Sequence, residues 1–224
     1  MLKIHEEKKI GLVAMLLSFL LCAPLAFGQG TPTTAAEFNA RGSTYYKNGE
    51  YAKAAADFGE AIKLEPNNFT YNFNRGASYF YLKDYDKAIA DFTQANRNKP
   101  DNSTVLEWRG DTYIEKGEYP KAIDDFTQAI KLNPNGAYSY GRRGFCYYTG
   151  ALFDDSAHPK AVADLTQAIK LDPNDASSYL YRAYCYRLTE ELAKARADIN
   201  KVLQFNPNNA GAKQFDAELK QKGY

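Results

Sequence analysis

An all-α solenoid is the fold class this sequence predicts. Three observations carry that expectation. A pattern with a period of 34 residues returns five times between Ala35 and Asn209. Each unit holds two runs whose small and large residues recur at helical spacing. A proline, at Pro66, Pro100, Pro134, Pro173 and Pro207, closes every unit. Fixed periodicity of this length marks a stack of supersecondary units, none of which can bury its apolar face alone.

The elements follow in order within one unit. The first run has large residues at unit positions 4 and 11 and a small one at 8, one face of a helix. Gly42, Gly76, Gly110 and Gly144 hold position 8, with Ala183 in the last unit. A missing Cβ there lets a neighbouring helix approach. The second run has Ala54, Ala88 and Ala122 at position 20, with Phe58, Phe92, Phe126 and Leu165 at 24 to fill the space between helices. Between the runs lie Asn48-Gly49-Glu50, Lys83-Asp84 and Lys116-Gly117-Glu118, which are turn-forming. The proline at position 32, followed by Asn or Asp, stops the second helix. Ala210 to Lys222 carries Ala212, Phe215 and Leu219 on one helical face, suited to cover the last unit.

This recurring set resembles the tetratricopeptide repeat family, over residues 35–209. The resemblance implies a right-handed superhelical solenoid of five helix-turn-helix repeats plus a C-terminal capping helix. The expected divisions are 1–28, a signal peptide; 29–34, a linker; repeats at 35–68, 69–102, 103–136, 137–175 and 176–209; and a capping helix at 210–224. Two departures from the family recur. Position 7 is Arg in every unit (Arg41, Arg75, Arg109, Arg143, Arg182), and position 23 is Asp (Asp57, Asp91, Asp125, Asp164, Asp198). An unpaired Arg among packed helices is costly, so the double departure predicts that the two groups meet.

Residues 1–28 stand outside the repeats. Lys3, Lys8 and Lys9, diluted by Glu6 and Glu7, precede an apolar run from Ile10 to Phe27, and Ala26-Phe27-Gly28 suits cleavage before Gln29. The expectation is a periplasmic or secreted protein. The run is also long enough for an uncleaved anchor, the one route to a membrane. Leu21 stands before Cys22 where lipidation wants a small residue. Loss of this leader lowers Lys+Arg from 28 to 25 and Asp+Glu from 27 to 25, leaving a formally neutral chain. That argues against nucleic acid as a ligand.

Cys146 and Cys185 both fall at position 10, where other units have Thr44, Ser78 and Thr112. Equivalent positions in adjacent units lie roughly 8–10 Å apart, beyond the ~7 Å reach of a disulfide. Two buried thiols are expected.

No enzyme and no cofactor is expected. The one histidine after the leader, His158, follows Asp154-Asp155-Ser156-Ala157 in a five-residue insertion that lengthens the fourth unit to 39. A metal or catalytic loop is one reading of Asp154, Asp155 and His158. An acidic surface loop that starts a helix is the other, and the absence of a second His, a CxxC, a P-loop or a G-x-S-x-G favours it.

Function is expected on the stripe of first-helix positions 2, 5, 9 and 12, with 6 and 13 at its margins. In the resembled family this stripe lines a concave groove that holds extended or helical peptides. Here it is aromatic: Phe73, Phe80 and Tyr81; Trp108 with Glu107, Asp111 and Glu115; Tyr138, Arg142, Phe145 and Tyr148; Leu180, Tyr181, Tyr184 and Arg187. The first unit is plain, with Asn39, Ser43, Tyr46 and Lys47. Trp108, Tyr138, Phe145 and Tyr181 are expected to stay partly exposed, flanked by charge that reads a peptide of mixed character. The family's carboxylate clamp for chaperone C-termini is absent, since Asn39, Ser43, Thr104 and Trp108 depart from it and only Asn74 matches. The expected role is a protein-binding adaptor; a structural spacer or self-assembling scaffold is the alternative. Oligomeric state is not legible.

Overall fold

The computed structural model describes residues 31–151 and 155–223. The leader, its expected cleavage point and residues 152–154 of the insertion, Asp154 among them, lie outside the described residues. Those described fold into eleven α-helices, without strands. They form five antiparallel pairs: α1 (Ala35–Lys47) with α2 (Tyr51–Leu64), α3 (Phe69–Tyr81) with α4 (Tyr85–Asn98), α5 (Ser103–Glu115) with α6 (Tyr119–Leu132), α7 (Ala137–Ala151) with α8 (His158–Leu171), and α9 (Ala176–Leu188) with α10 (Leu192–Phe205). A last helix, α11 (Ala210–Gln221), packs on α10. A short 3-10 turn, Asp155–Ala157, leads into α8.

The segment after each proline both ends one helix and starts the next. Asn68, Asn102, Asp175 and Asn209 accept backbone N–H bonds from the first turns of α3, α5, α9 and α11. Side-chain capping of this kind satisfies amides that have no partner within the helix. Thr34 opens α1 with a reciprocal cap: its hydroxyl accepts from the Glu37 amide at 3.3 Å and its own amide donates to the Glu37 carboxylate at 3.0 Å.

Turns within four of the five pairs share a left-handed residue at unit position 15. Gly49 and Gly117 hold it at φ 78° and 75°, but Lys83 and Glu190 hold it at 61° and 59°. A Cβ is strained there. Lys83→Gly is therefore expected to raise the unfolding free energy by about 1 kcal/mol, seen as a higher urea midpoint at constant m-value; an unchanged midpoint would mean the turn stores no strain.

Packing within a pair is a small-to-large fit. A Cβ built on Gly42, Gly76, Gly110 or Gly144 would meet Phe58, Phe92, Phe126 or Leu165 at 2.8–3.0 Å. All four large side chains are buried. In the last pair Ala183 adds a methyl at position 8 and the opposing residue shrinks to Ile199, also buried. In every pair a small residue faces a large one across the contact, as close packing requires.

The recurrent Arg and Asp do meet, in every unit. Nε and Nη2 of Arg41, Arg75, Arg109, Arg143 and Arg182 donate to both carboxylate oxygens of Asp57, Asp91, Asp125, Asp164 and Asp198 at 2.6–2.8 Å. The aspartates are buried. This fork-to-fork geometry ties the two helices of a pair together. Nη1 also reaches back to the preceding unit: Arg109 to Thr93, Arg143 to Thr127 and Arg182 to Thr166, at 3.0–3.1 Å. In the first unit Gly59 stands where those threonines stand, and the Arg75 guanidinium lies 3.8 Å from where its Cβ would be. A second recurrence escaped the sequence reading. Lys53, Lys87, Lys121, Lys160 and Lys194 sit 5.2–5.7 Å from the ring centres of Tyr45, Tyr79, Tyr113, Tyr147 and Tyr186.

The first helices of neighbouring units touch one another (α1 with α3, α3 with α5, α5 with α7, α7 with α9), whereas the second helices touch chiefly first helices. The row of first helices is therefore the more tightly spaced. A stack so built curves with that row on its inner side, where the candidate site lies.

The insertion leaves the register intact, with α8 resuming the pattern through Ala161, Asp164, Leu165 and Ala168, all buried. His158 is the first residue of α8 and is buried. It occupies the position of Tyr51, Tyr85 and Tyr119, the first residues of α2, α4 and α6. His158 is thus a packing residue in the tyrosine register.

Candidate functional site: the inner helical face

The stripe divides into two halves of different character. In the N-terminal half the second and third units bury their largest inner-face side chains, while Tyr46 and Tyr81 stay half-buried. Phe73, Phe80 and Trp108, expected as groove-lining residues, are 4%, 6% and 4% exposed. That corrects the expectation for Trp108. Its indole lies 5.5 Å from Phe80, 6.0 Å from Phe73 and Phe92, and 6.2 Å from Tyr81, edge-on to most of them. Edge-to-face rings at these distances attract beyond their buried area. The side chain is the plug between α3 and α5. One unit earlier, Tyr46, Tyr51 and Tyr81 form a similar cluster at 4.7–5.7 Å. Burial and neighbouring Tyr81 raise the Tyr46 phenol far above its ordinary range.

The junction of α5 and α7 is polar and closed. Asp111 is 2% exposed. It accepts from the Tyr138 hydroxyl at 2.6 Å and from Arg142 Nε at 2.8 Å. Ser139 donates to Glu107 at 2.6 Å beside it. Burial opposes charge on Arg142, but Asp111 and Tyr138 outweigh it and raise its pKa. Burial, reinforced by the Asp111 charge, holds the Tyr138 phenol well above its usual value. Glu115, half-buried, accepts from the Tyr85 hydroxyl at 3.4 Å. The expected flank of free opposite charges is corrected here: Asp111 and Arg142 neutralise each other, and Glu115 serves an internal bond.

The C-terminal half remains open. Phe145 and Tyr148 of α7 and Tyr181 and Tyr184 of α9 are half-buried. Their rings run as one row: Phe145 to Tyr181 at 4.8 Å, Tyr181 to Tyr148 at 5.8 Å, Tyr148 to Tyr184 at 5.9 Å. Tyr184 then stacks on Phe215 of α11 at 5.7 Å. Gly211 matters to that seat, because a Cβ there would stand 2.8 Å from the Tyr184 hydroxyl oxygen. Arg187 lies over the Tyr184 and Phe215 rings at 5.3 and 5.0 Å and pairs with Glu218 at 3.1 Å. Burial raises the phenols of Tyr148, Tyr181 and Tyr184, partly offset by Arg187 and Arg142, so all three are hydroxyl donors at neutral pH. The capping helix thus completes the row, which spacing within the repeats could not reveal.

Behind this row sit Cys146 and Cys185, both free and fully buried. Burial pushes each thiol up to about 12. Since the thiolate is the reactive form, neither is expected to be alkylated by iodoacetamide in the folded protein at mildly alkaline pH, and both in urea. Peptide mass mapping would read this, and rapid native labelling of either would show that the repeat opens locally.

Residues 39–103 and 151–210 match a family described as Tetratricopeptide repeat, and residues 110–150 match one described as TPR repeat. The chain belongs to the tetratricopeptide repeat family. Comparison with curated proteins yields no match. Solved TPR structures share the fold. YrrB, described as a TPR protein with an unusual peptide-binding site, is 19% identical with a TM-score of 0.68, over 80% of this chain and 90% of its own. MamA of Desulfovibrio magneticus RS-1 is 16% identical with a TM-score of 0.71, over 81% and 99%. PilF of Pseudomonas aeruginosa is 17% identical with a TM-score of 0.72, over 84% of each chain. At these identities the likeness is one of architecture, so the site of this TPR chain rests on its own side chains.

Proposed function

We propose that this TPR protein is an exported adaptor that holds a segment of a protein partner on its inner face, along the half-buried rings of α7 and α9. The single observation that carries the reading is the continuous row Phe145, Tyr181, Tyr148 and Tyr184, four half-buried aromatic rings in mutual contact on the inner face. Aromatic residues dominate interface energies when a partner desolvates them. YrrB, a protein of the same fold, is described as having a peptide-binding site, which supports a peptide as the kind of partner. Export rests on the leader's charged start, apolar run and A-x-G end.

A photo-crosslinking residue at position 145 should yield an adduct with one envelope protein, and one at Lys63 on α2 should not. Tyr181→Ala should abolish the adduct while circular dichroism stays unchanged. Equal adducts from both positions would overturn the groove. Concentration-dependent self-association with no adduct would favour the scaffold. The mature N-terminus should be Gln29, and a membrane-held product starting at Met1 would overturn export.

A further inference from the structure

We propose that a cleft between α4 and α6 is a second binding site, for a small carboxylic acid that also carries a hydroxyl. It is independent of the α7–α9 row and of the adaptor reading. The repeat register marks the place. Unit position 28 is Ile62, Ile130, Ile169 and Leu203 in four units, and position 30 is Leu64, Leu132, Leu171 and Phe205. The second unit has Asn96 and Asn98 there instead, at the end of α4. Two carboxamides in place of apolar side chains cost stability unless something pairs with them.

The cleft opens where the register departs. It holds about 250 Å³ over Leu106 and the Arg109–Asp125 pair, with Asn96 on the α4 side and Gln128, Lys131 and Leu132 on the α6 side. Asn96 Oδ1 is enclosed and has no hydrogen-bond partner among the described residues. Asn98 Oδ1 accepts from Gln94 at 3.0 Å, while its Nδ2 is enclosed and unpaired among them. Arg109 is spent on Asp125 and Thr93. Lys131 is the free charge. In the first unit Lys63 pairs with Glu60 at 2.7 Å, but Gln128 stands where Glu60 does, and Lys131 has no ion pair among the described residues. Lys170 repeats the pattern one unit later, but there Ile130 stands in the place of Asn96. Only the α4–α6 junction combines the free cation with the free amide oxygen.

These groups set the chemistry of an occupant. A carboxamide oxygen only accepts, so it takes an O–H or N–H donor. An amine would bring positive charge beside Arg109 and Lys131, which leaves a neutral hydroxyl. The Lys131 ammonium only donates and attracts an anion. Leu106 and Leu132 cover an apolar body. The volume is below that of sites for drug-sized molecules and suits a single ring.

The test is calorimetric titration of the full-length protein with para-hydroxyphenylacetate. Binding at millimolar concentration, weakened by salt, is expected. Phenylacetate lacks the hydroxyl and para-hydroxyphenylacetamide lacks the charge; each should bind about fivefold or more weakly. Asn96→Ile installs the residue of the other repeats, so the urea midpoint should hold or rise while binding is lost. Lys131→Gln, an exposed change that leaves the packing alone, should weaken binding and remove its salt dependence. Tyr181→Ala should leave binding of the acid unchanged, so this proposal and the adaptor reading fail separately. No binding by the parent protein, or binding that survives Asn96→Ile or ignores Lys131→Gln, would overturn the site and leave the cleft a place for water alone. Binding of phenylacetate as tight as that of the hydroxy acid would overturn the role of Asn96.

Discussion

Trp108→Ala lowers the unfolding free energy by about 3–5 kcal/mol, the cost of emptying a large aromatic site in a packed interior. The expected result follows from the position of the indole, 4% exposed and ringed by Phe73, Phe80, Tyr81 and Phe92. Those neighbours come from α3 and α4, so the cavity opens at the interface between the second and third units rather than inside one. A solenoid's stability is a sum of unit and interface contributions. Weakening one interface should therefore uncouple the array there and broaden the urea transition, as well as lower its midpoint. Far-UV circular dichroism reads both. Where the variant remains folded, partner binding at α7 and α9 should be unaltered. A loss of binding without a loss of stability would restore Trp108 to the groove and overturn the packing assignment.

Asp111→Ala is expected to cost a similar amount, about 3–5 kcal/mol, for an electrostatic reason. Asp111 takes hydrogen bonds from Tyr138 and Arg142 in a nearly closed site. Arg142 is 13% exposed at its side chain and stands 5.5 Å from the Phe145 ring centre. Removing the acid leaves a guanidinium with little water and no counter-charge. Desolvation is the larger part of the penalty, so replacing the whole group should recover most of it. Asp111→Leu combined with Arg142→Met and Tyr138→Phe should lie within about 1–2 kcal/mol of the parent. If the triple variant is as unstable as Asp111→Ala, the site depends on shape rather than on charge matching. Because Phe145 begins the open row, Asp111→Ala should also weaken partner binding; Trp108→Ala should not.

Much of the architecture is legible in the residues because it is local to a unit. Gly at position 8 and Phe or Leu at 24 face each other within one helix pair, so a small residue at one requires a large one at the other. The last unit shows this, with Ala183 opposite Ile199. Arg and Asp at positions 7 and 23 are mutually required for the same reason, and each pair closes as expected. His158 was equally legible by register, since it stands where Tyr51, Tyr85 and Tyr119 stand. Its acidic neighbours allow a metal or catalytic reading, and the acidic helix-starting loop is the favoured one.

The site itself was only partly legible, because it depends on what one unit places against the next. The period sets positions 2, 5, 9 and 12, with 6 and 13 at the margins, as one stripe of each first helix, and the family resemblance implies that this stripe is the inner face. It cannot say how far each side chain is covered, since coverage depends on the partner residue across each separate interface. Trp108 meets a cage of rings and is lost to the core; Asp111 meets Arg142 and is neutralised; Tyr181 and Tyr184 meet other rings tilted or stacked and stay half-buried. The sequence by itself determined the repeat, its helices, caps and ion pairs, all of which are contacts within a unit or its caps. Only the tertiary structure decided where the inner face is open, because side-chain burial between units is a property of two non-identical surfaces and no periodicity encodes it.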